Sequence, residues 1–482
     1  MKASLVLSLL FLGETGHTSM VMAQSTGTFS ATGSMITARA GHSATLLANG
    51  KVLIAGGYQR GFPGIALASA ELYDPSAATF VATGVMTVPR TQHTARLLPD
   101  GRVLLSGGAG PTVSAELYDP STGTFSGTGN MIQPQAPVHT ATLLGNGKVL
   151  IAGGSSTAEL YDPATGTFAE TGAYAGSYAS PVWVDTATLL PDGRVLITGC
   201  CRFDGGPVSE LYDPGTGAFS VTGTMSGPAN WWWEDVNTAT LLMNGKVLIV
   251  GNVENDGFPG VAEMYDHSTA VFSNMGNTTA PHEFSTATIL PDGTVLIAGG
   301  QLPGGSGSAG VDLYSPRNGM FSAAPNMLTP RHEHMATLLL DGTVLITGGF
   351  SSWPVPTASA EIYTPLTQQT APVLLSLSGD VQGQGAIQHA GTYRIASAED
   401  PAVAGEYLSI YLTGLADGSV IPPQVSIGGR QAEITFFGNV PGYPGLNVVN
   451  VRMPVGIAPG PTVPVRLSYL SRSSNGVTIG VR

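Results

Sequence analysis

Charge is scarce in this chain. Asp, Glu, Lys and Arg make up 11% of its 482 residues, and 32 acidic against 19 basic side chains leave a net charge of −13. No basic patch or stripe offers a footprint for nucleic acid or an anionic bilayer, so neither is expected as a partner. Cysteine is nearly absent: only the adjacent Cys200 and Cys201 occur, and no disulfide framework can organise the fold. Long apolar runs are missing as well. The stretch from Leu5 to Leu12 is too short to cross a bilayer, and no later segment reads as a membrane helix. With Lys2 before it and Ala23 after it, that stretch reads as a secretory signal over residues 1–23, which implies a secreted or cell-surface protein without a membrane span. No long run of helical periodicity appears.

Glycine and proline are abundant instead, 65 and 34 residues, as in a turn-rich all-β chain. A self-similar stretch organises them. "HSATLLANGKVLIAGG" from His42 returns from His93, His139, Asp185, Asn237, Ser285 and His334. Successive copies lie about 46 to 52 residues apart, a spacing of propeller blades. Each copy holds Asn-Gly or Asp-Gly, from Asn49-Gly50 to Asp341-Gly342, between two apolar strands, a pair expected to form a type I′ hairpin turn. A third strand of the "AELYDP" type and a fourth of the "TFVATGVM" type follow. The seven-fold acid of the third strand (Glu71, Glu116, Glu159, Glu210, Glu263, Asp312, Glu361) is expected to be structural, because it obeys the repeat. The first fourth-strand copy, "TGTFSATGSM" at 27–36, precedes any first strand, and none follows "AEIYTP". The N-terminal strand is therefore expected to complete the last blade and close the ring.

On the paired glycines, the "ELYDP" strand and the Arg-x-x-His starts at Arg39/His42, Arg90/His93 and Arg331/His334, residues 26–366 resemble kelch repeats of the galactose-oxidase central-domain type. The resemblance implies a seven-bladed β-propeller. Residues 375–482, after a linker at 367–374, lack the period and alternate short strands with Gly/Pro turns. They resemble the Ig-like β-sandwich module at the C-termini of secreted bacterial repeat proteins. The fold class is all-β, and a monomer is expected.

Function is expected on one face, where the long connections between blades gather. All five tryptophans, Trp183, Trp231, Trp232, Trp233 and Trp353, fall in those connections. With Arg39, Arg90 and Arg331 they are the candidates for binding a carbohydrate or an extracellular protein. Seven residues, His42, His93, His139, Asp185, Asn237, Ser285 and His334, begin the innermost strands as a ring near the channel mouth. Asp185, Glu234 and His334 are the acid–base candidates, and His282, His332 and His334 a weaker metal candidate. The resemblance also brings to mind copper-radical oxidases, which hold copper with two tyrosines and two histidines, one tyrosine directly before a histidine and one cross-linked to cysteine. No Tyr-His dipeptide occurs, and no cofactor is expected. Cys200 and Cys201 form either a vicinal disulfide or two free thiols.

Overall fold

The computed structural model describes residues 27–60, 64–108, 112–133, 139–176, 182–201, 207–225, 238–251, 260–365, 372–378, 383–392, 394–415, 423–440, 446–469 and 472–482. The described residues form strands joined by turns, and none lies in a helix long and apolar enough to cross a membrane.

Each copy of the repeat builds one four-stranded antiparallel sheet, the arrangement of a β-propeller. In sheet 1 the strands run Ser43–Leu46, Val52–Ala55, Leu67–Asp74 and Thr79–Arg90. The second strand explains the packing. Val52, Leu53, Ile54 and Ala55 are all buried, which an outer strand of an open sheet would not allow. Because side chains alternate along a strand, Val52 and Ile54 pack with Leu345 and Ala360 of sheet 7, while Leu53 and Ala55 pack with Val103 and Leu105 of sheet 2. The same division recurs around the molecule. One apolar cluster fills each gap, between sheets 1 and 2, 2 and 3, 3 and 4, 4 and 5, 5 and 6, 6 and 7, and 7 and 1. The innermost strands touch in the same cyclic order. Sheet 7 takes its outer strand from the start of the chain: Thr28–Ala31 pairs antiparallel with Ala360–Thr364, in register from Thr28↔Thr364 to Ala31↔Glu361.

The hairpin turn differs from the expected type I′ form. Gly50 N–H donates to Leu47 O at 2.9 Å and Leu47 N–H to Lys51 O at 2.8 Å, and only Gly50, at φ 81°, is left-handed. This is a type I turn over Ala48-Asn49 closed by a glycine bulge. The Asn or Asp favours it through its side chain: Asn49 Oδ1 accepts Lys51 N–H at 3.1 Å, and Asp100 and Asn146 do likewise.

The C-terminal residues form two five-stranded sheets, one centred on Tyr407–Thr413 and Asn447–Arg452, the other on Gln424–Ile427 and Gly460–Tyr469. They share one apolar core that includes Leu408, Ile410, Val425, Val449, Leu467 and Ile479.

Candidate functional site

The three arginines are buried, not open to a ligand as the sequence reading expects. Each is committed to the fold. Arg39 donates from Nη1 to Gly56 O at 2.6 Å and from Nη2 to Glu71 Oε1 at 2.7 Å, with both side chains almost wholly excluded from solvent. Arg90 pairs with Glu116 at 3.2 Å and Arg331 with Glu361 at 2.6 Å in the same way. The glutamates also accept the N–H groups of the segment that crosses from the preceding sheet: Glu71 holds Ile36 and Thr37, and Glu361 holds Leu328 and Thr329. The motif clamps each inter-sheet crossing.

Sheet 6 repeats the clamp with shorter partners. His282 stands for Arg and Asp312 for Glu: Nδ1 meets Gly299 O and Nε2 meets Asp312 Oδ2, both at 2.8 Å. His282 is thereby fully engaged and not available to a metal. Among the described residues, no group of three His, Cys, Asp or Glu is placed to hold a metal ion, so His282, His332 and His334 do not form a centre.

The ring histidines join sheets. His42 Nε2 bonds Thr347 Oγ1 of sheet 7 at 3.0 Å, His93 Nε2 bonds Ser43 Oγ of sheet 1 at 2.9 Å, and His334 Nε2 bonds Thr286 Oγ1 of sheet 6 at 3.0 Å. Their Nδ1 atoms are buried without partners, which suits a neutral ring protonated on Nε2 and leaves only a lone pair unmet. Burial first, then nearby arginine charge, lowers His42 and His334 far below the ordinary value and His93 to about 3. His334 is therefore unsuited to act as an acid or base. The first glycine of each pair makes room for these rings. A Cβ on Gly348, whose φ is 61°, would lie 2.7 Å from His42 Cε1. Gly348→Ala is expected to cost about 1–3 kcal/mol more, in urea denaturation, than Gly101→Ala, whose added Cβ meets nothing.

One step before the histidines, at the end of the innermost strands, a second ring lines the channel mouth. Gly41, Gln92, Phe284 and Glu333 are all left-handed, with φ of 58°, 51°, 53° and 50°. Gly41 N–H donates to Glu333 O at 3.1 Å, Gln92 N–H to Gly41 O at 2.9 Å and Glu333 N–H to Phe284 O at 3.2 Å, a belt passing from sheet to sheet. The side chains here are not repetitive. Glu333 is half-buried, and no described residue bonds or pairs with its carboxyl group. Burial raises its pKa to about 7. Gly41 packs closely beside it: a Cβ there would lie 3.4 Å from Glu333 Oε2, 3.3 Å from Tyr58 Cδ2 and 3.2 Å from Thr91 Oγ1. Since Gln92, Phe284 and Glu333 carry side chains at the same φ, the backbone alone does not demand glycine at 41. Tyr58, itself buried, donates its hydroxyl to Gln92 Oε1 at 3.3 Å.

The remaining candidates divide. Trp231, Trp232, Trp233 and Glu234 lie outside the described residues, and of Trp183, Cys200 and Cys201 only the backbone is described, with Trp183 opposite Cys200 in a strand pair. Asp185 sits at a β-bulge of the innermost strand Val182–Leu189 and is half-buried with partners of its own. Trp353 is 48% exposed and rests on Phe350 at 5.0 Å, which in turn packs on His332 at 5.4 Å. Phe350 belongs to a small sheet that joins the hairpin loops of sheets 6 and 7, Gln301–Leu302 to Val355–Pro356, with Trp353 in its last turn and His332 bridged to Phe350. Glu333 escapes sequence reading because it stands between His332 and His334. Its signal was a charge at a ring position that elsewhere holds Gly41 and Gln92.

Fold and mouth together define an all-β propeller protein of galactose-oxidase-like fold. A fungal alcohol oxidase of the AA5 family, solved in complex with copper, matches with a TM-score of 0.61 and 17% identity, over 95% of this chain and 100% of that one. No protein-family model and no curated protein matches the sequence. The copper donor set does not fit the described residues: Glu333, not tyrosine, precedes His334, and the Nε2 atoms of His42, His93 and His334 are turned into sheet contacts.

Proposed function

We propose that this chain is a secreted, seven-bladed kelch-type propeller followed by an Ig-like module, and that it binds a carbohydrate at the mouth lined by Gly41, Tyr58, Thr91, Gln92 and Glu333. One observation carries the reading: Glu333, in the ring at the ends of the innermost strands, presents a half-buried carboxyl group without a described partner. A carboxyl group so placed answers sugar hydroxyls, and the exposed Trp353, resting on Phe350 beside His332, offers a stacking surface on the same segment of the fold. A glycan array tests this. Saccharides retained by the wild type are expected to bind about 10–100-fold more weakly to Glu333→Ala, the usual effect of removing a charged hydrogen-bond partner. Binding untouched by that substitution, or no saccharide bound at all, overturns the reading.

A second reading, a carbohydrate-active enzyme that is not a copper-radical oxidase, is favoured by the acidity of the same group. At a pKa of about 7, Glu333 can both give and take a proton at neutral pH. Turnover of the bound saccharide, falling about 100-fold or more in Glu333→Gln, would establish it.

A further inference from the structure

The wall of the central channel breaks its own pattern once. Opposite the leucine of the second strand, the innermost strand carries threonine in six sheets: Thr45, Thr142, Thr188, Thr240, Thr288 and Thr337. In sheet 2 the same place, opposite Leu104, is held by Arg96. Alternation along the strand Thr94–Leu97 fixes its direction. Ala95 and Leu97 pack into the gap with sheet 1, so Thr94 and Arg96 turn the other way, where Thr94 Oγ1 meets His139 Nε2 of sheet 3 at 3.5 Å. On that side Leu104, Val149 and Ile151 fill the gap between sheets 2 and 3. Arg96, one strand further in than Leu104, is exposed, and the space it opens into is the channel encircled by the seven innermost strands.

No described residue answers its charge. Arg39, Arg90 and Arg331 each lie on a glutamate, whereas Arg96 makes no hydrogen bond or ion pair with a described residue. Burial lowers its pKa, with no carboxylate to offset the effect. Solvent reaches the side chain, yet protein surrounds it closely enough to disfavour its charge, and both hold for a group inside a narrow open channel. On the mouth side, Asp185 and Glu333 stand three and four residues before the threonines of their strands. At the level of Arg96 the wall is thus hydroxyls and one guanidinium, and the hydroxyls of Thr45, Thr188, Thr240, Thr288 and Thr337 bond no described residue. A guanidinium keeps its proton at every working pH and presents a planar fork of donors that fits paired oxygens. The missing partner is an acceptor of negative charge.

We infer that the propeller channel is a binding site for a small oxyanion, held by the Arg96 guanidinium within the ring of threonine hydroxyls. The site lies below the mouth and is independent of the carbohydrate reading.

Isothermal titration of the full chain with inorganic phosphate, at constant ionic strength, tests it. The wild type is expected to bind one phosphate, and Arg96→Thr to bind it at least about tenfold more weakly. Arg96→Thr installs the residue of the other six sheets and removes an unpaired charge, so it is expected to melt no lower than the wild type in phosphate-free buffer, which separates lost binding from lost fold. Raising phosphate should then raise the melting temperature of the wild type more than that of Arg96→Thr. In crystals of the full chain soaked with selenate, the anomalous selenium peak is expected on Arg96. No phosphate bound by the wild type, binding unchanged in Arg96→Thr, or selenium only at other positions overturns the inference. A carboxylate of the chain itself seated on Arg96 overturns it equally.

Discussion

Acidification from pH 6 to pH 5 is expected to remove stability at up to about 4 kcal/mol per pH unit. The cause lies in the contacts between sheets. His42, His93, His332 and His334 are buried, and all four have pKa values lowered by desolvation, His93 to about 3 and His332 to about 4. Above the unfolded value of 6.5 both states carry neutral rings and no penalty arises. As pH falls through 6.5 the unfolded chain takes up protons that the folded chain refuses, and stability declines until the folded values are reached. Glu333 works in the opposite sense. Its raised pKa means that the folded state binds a proton first, so between about 7 and 4.5 acidification favours the fold through this one group. Four histidines against one glutamate leave about three protons bound on unfolding, which sets the slope above. Urea titrations at half-unit pH steps measure it. A free energy of unfolding that is level from pH 7 to pH 5 would show that the histidines are not neutral in the ring.

The second large effect concerns the buried clamp. Arg331→Met leaves Glu361 fully buried with its charge unpaired, and one-sided removal of such a pair commonly costs 3–5 kcal/mol. About 3 kcal/mol is expected here, because Leu328 and Thr329 still donate to the carboxylate. Sheet 4 supports the lower figure: Val182 occupies the arginine position, yet Glu210 is buried and accepts Ala175 and Gly176 N–H at 3.0 and 2.8 Å. Adding Glu361→Gln to Arg331→Met should restore part of the loss, since the amide oxygen accepts both N–H groups without a charge. Thermal and urea unfolding of the two variants measure the difference. A double variant no more stable than the single one would mean that lost packing, not the orphaned charge, governs the cost.

The propeller architecture was legible because every copy of the repeat makes the same demand. Val-Leu-Ile second strands buried on both faces need a sheet on either side, and a fourth-strand copy at the N-terminus without a first strand needs a partner at the far end of the chain. The roles of the arginines were not legible. A guanidinium aimed at solvent and one aimed at a glutamate 30 residues away read alike, and only their joint change exposes the link: where Arg shortens to His282, Glu shortens to Asp312. The same limit applies to the histidines, whose partners Thr347, Ser43 and Thr286 belong to the preceding sheet. The turn was misread because Asn-Gly suits both hairpin types, and the choice goes with Lys51 O accepting Leu47 N–H and Lys51 N–H donating to Asn49 Oδ1, which composition does not record. Glu333 became visible only when the left-handed belt placed it in one ring with Gly41, Gln92 and Phe284.

That carboxyl group carries the functional account, and its acidity can be measured alone. In the chain labelled with carbon-13 at glutamate side-chain carboxyl carbons, the resonance missing from Glu333→Gln is followed from pH 4 to pH 9. A midpoint of about 7 is expected for a half-buried, unpaired acid at the channel mouth. A midpoint near the ordinary 4.5 would mean that Glu333 is solvated or paired, and would contradict the site proposed for it.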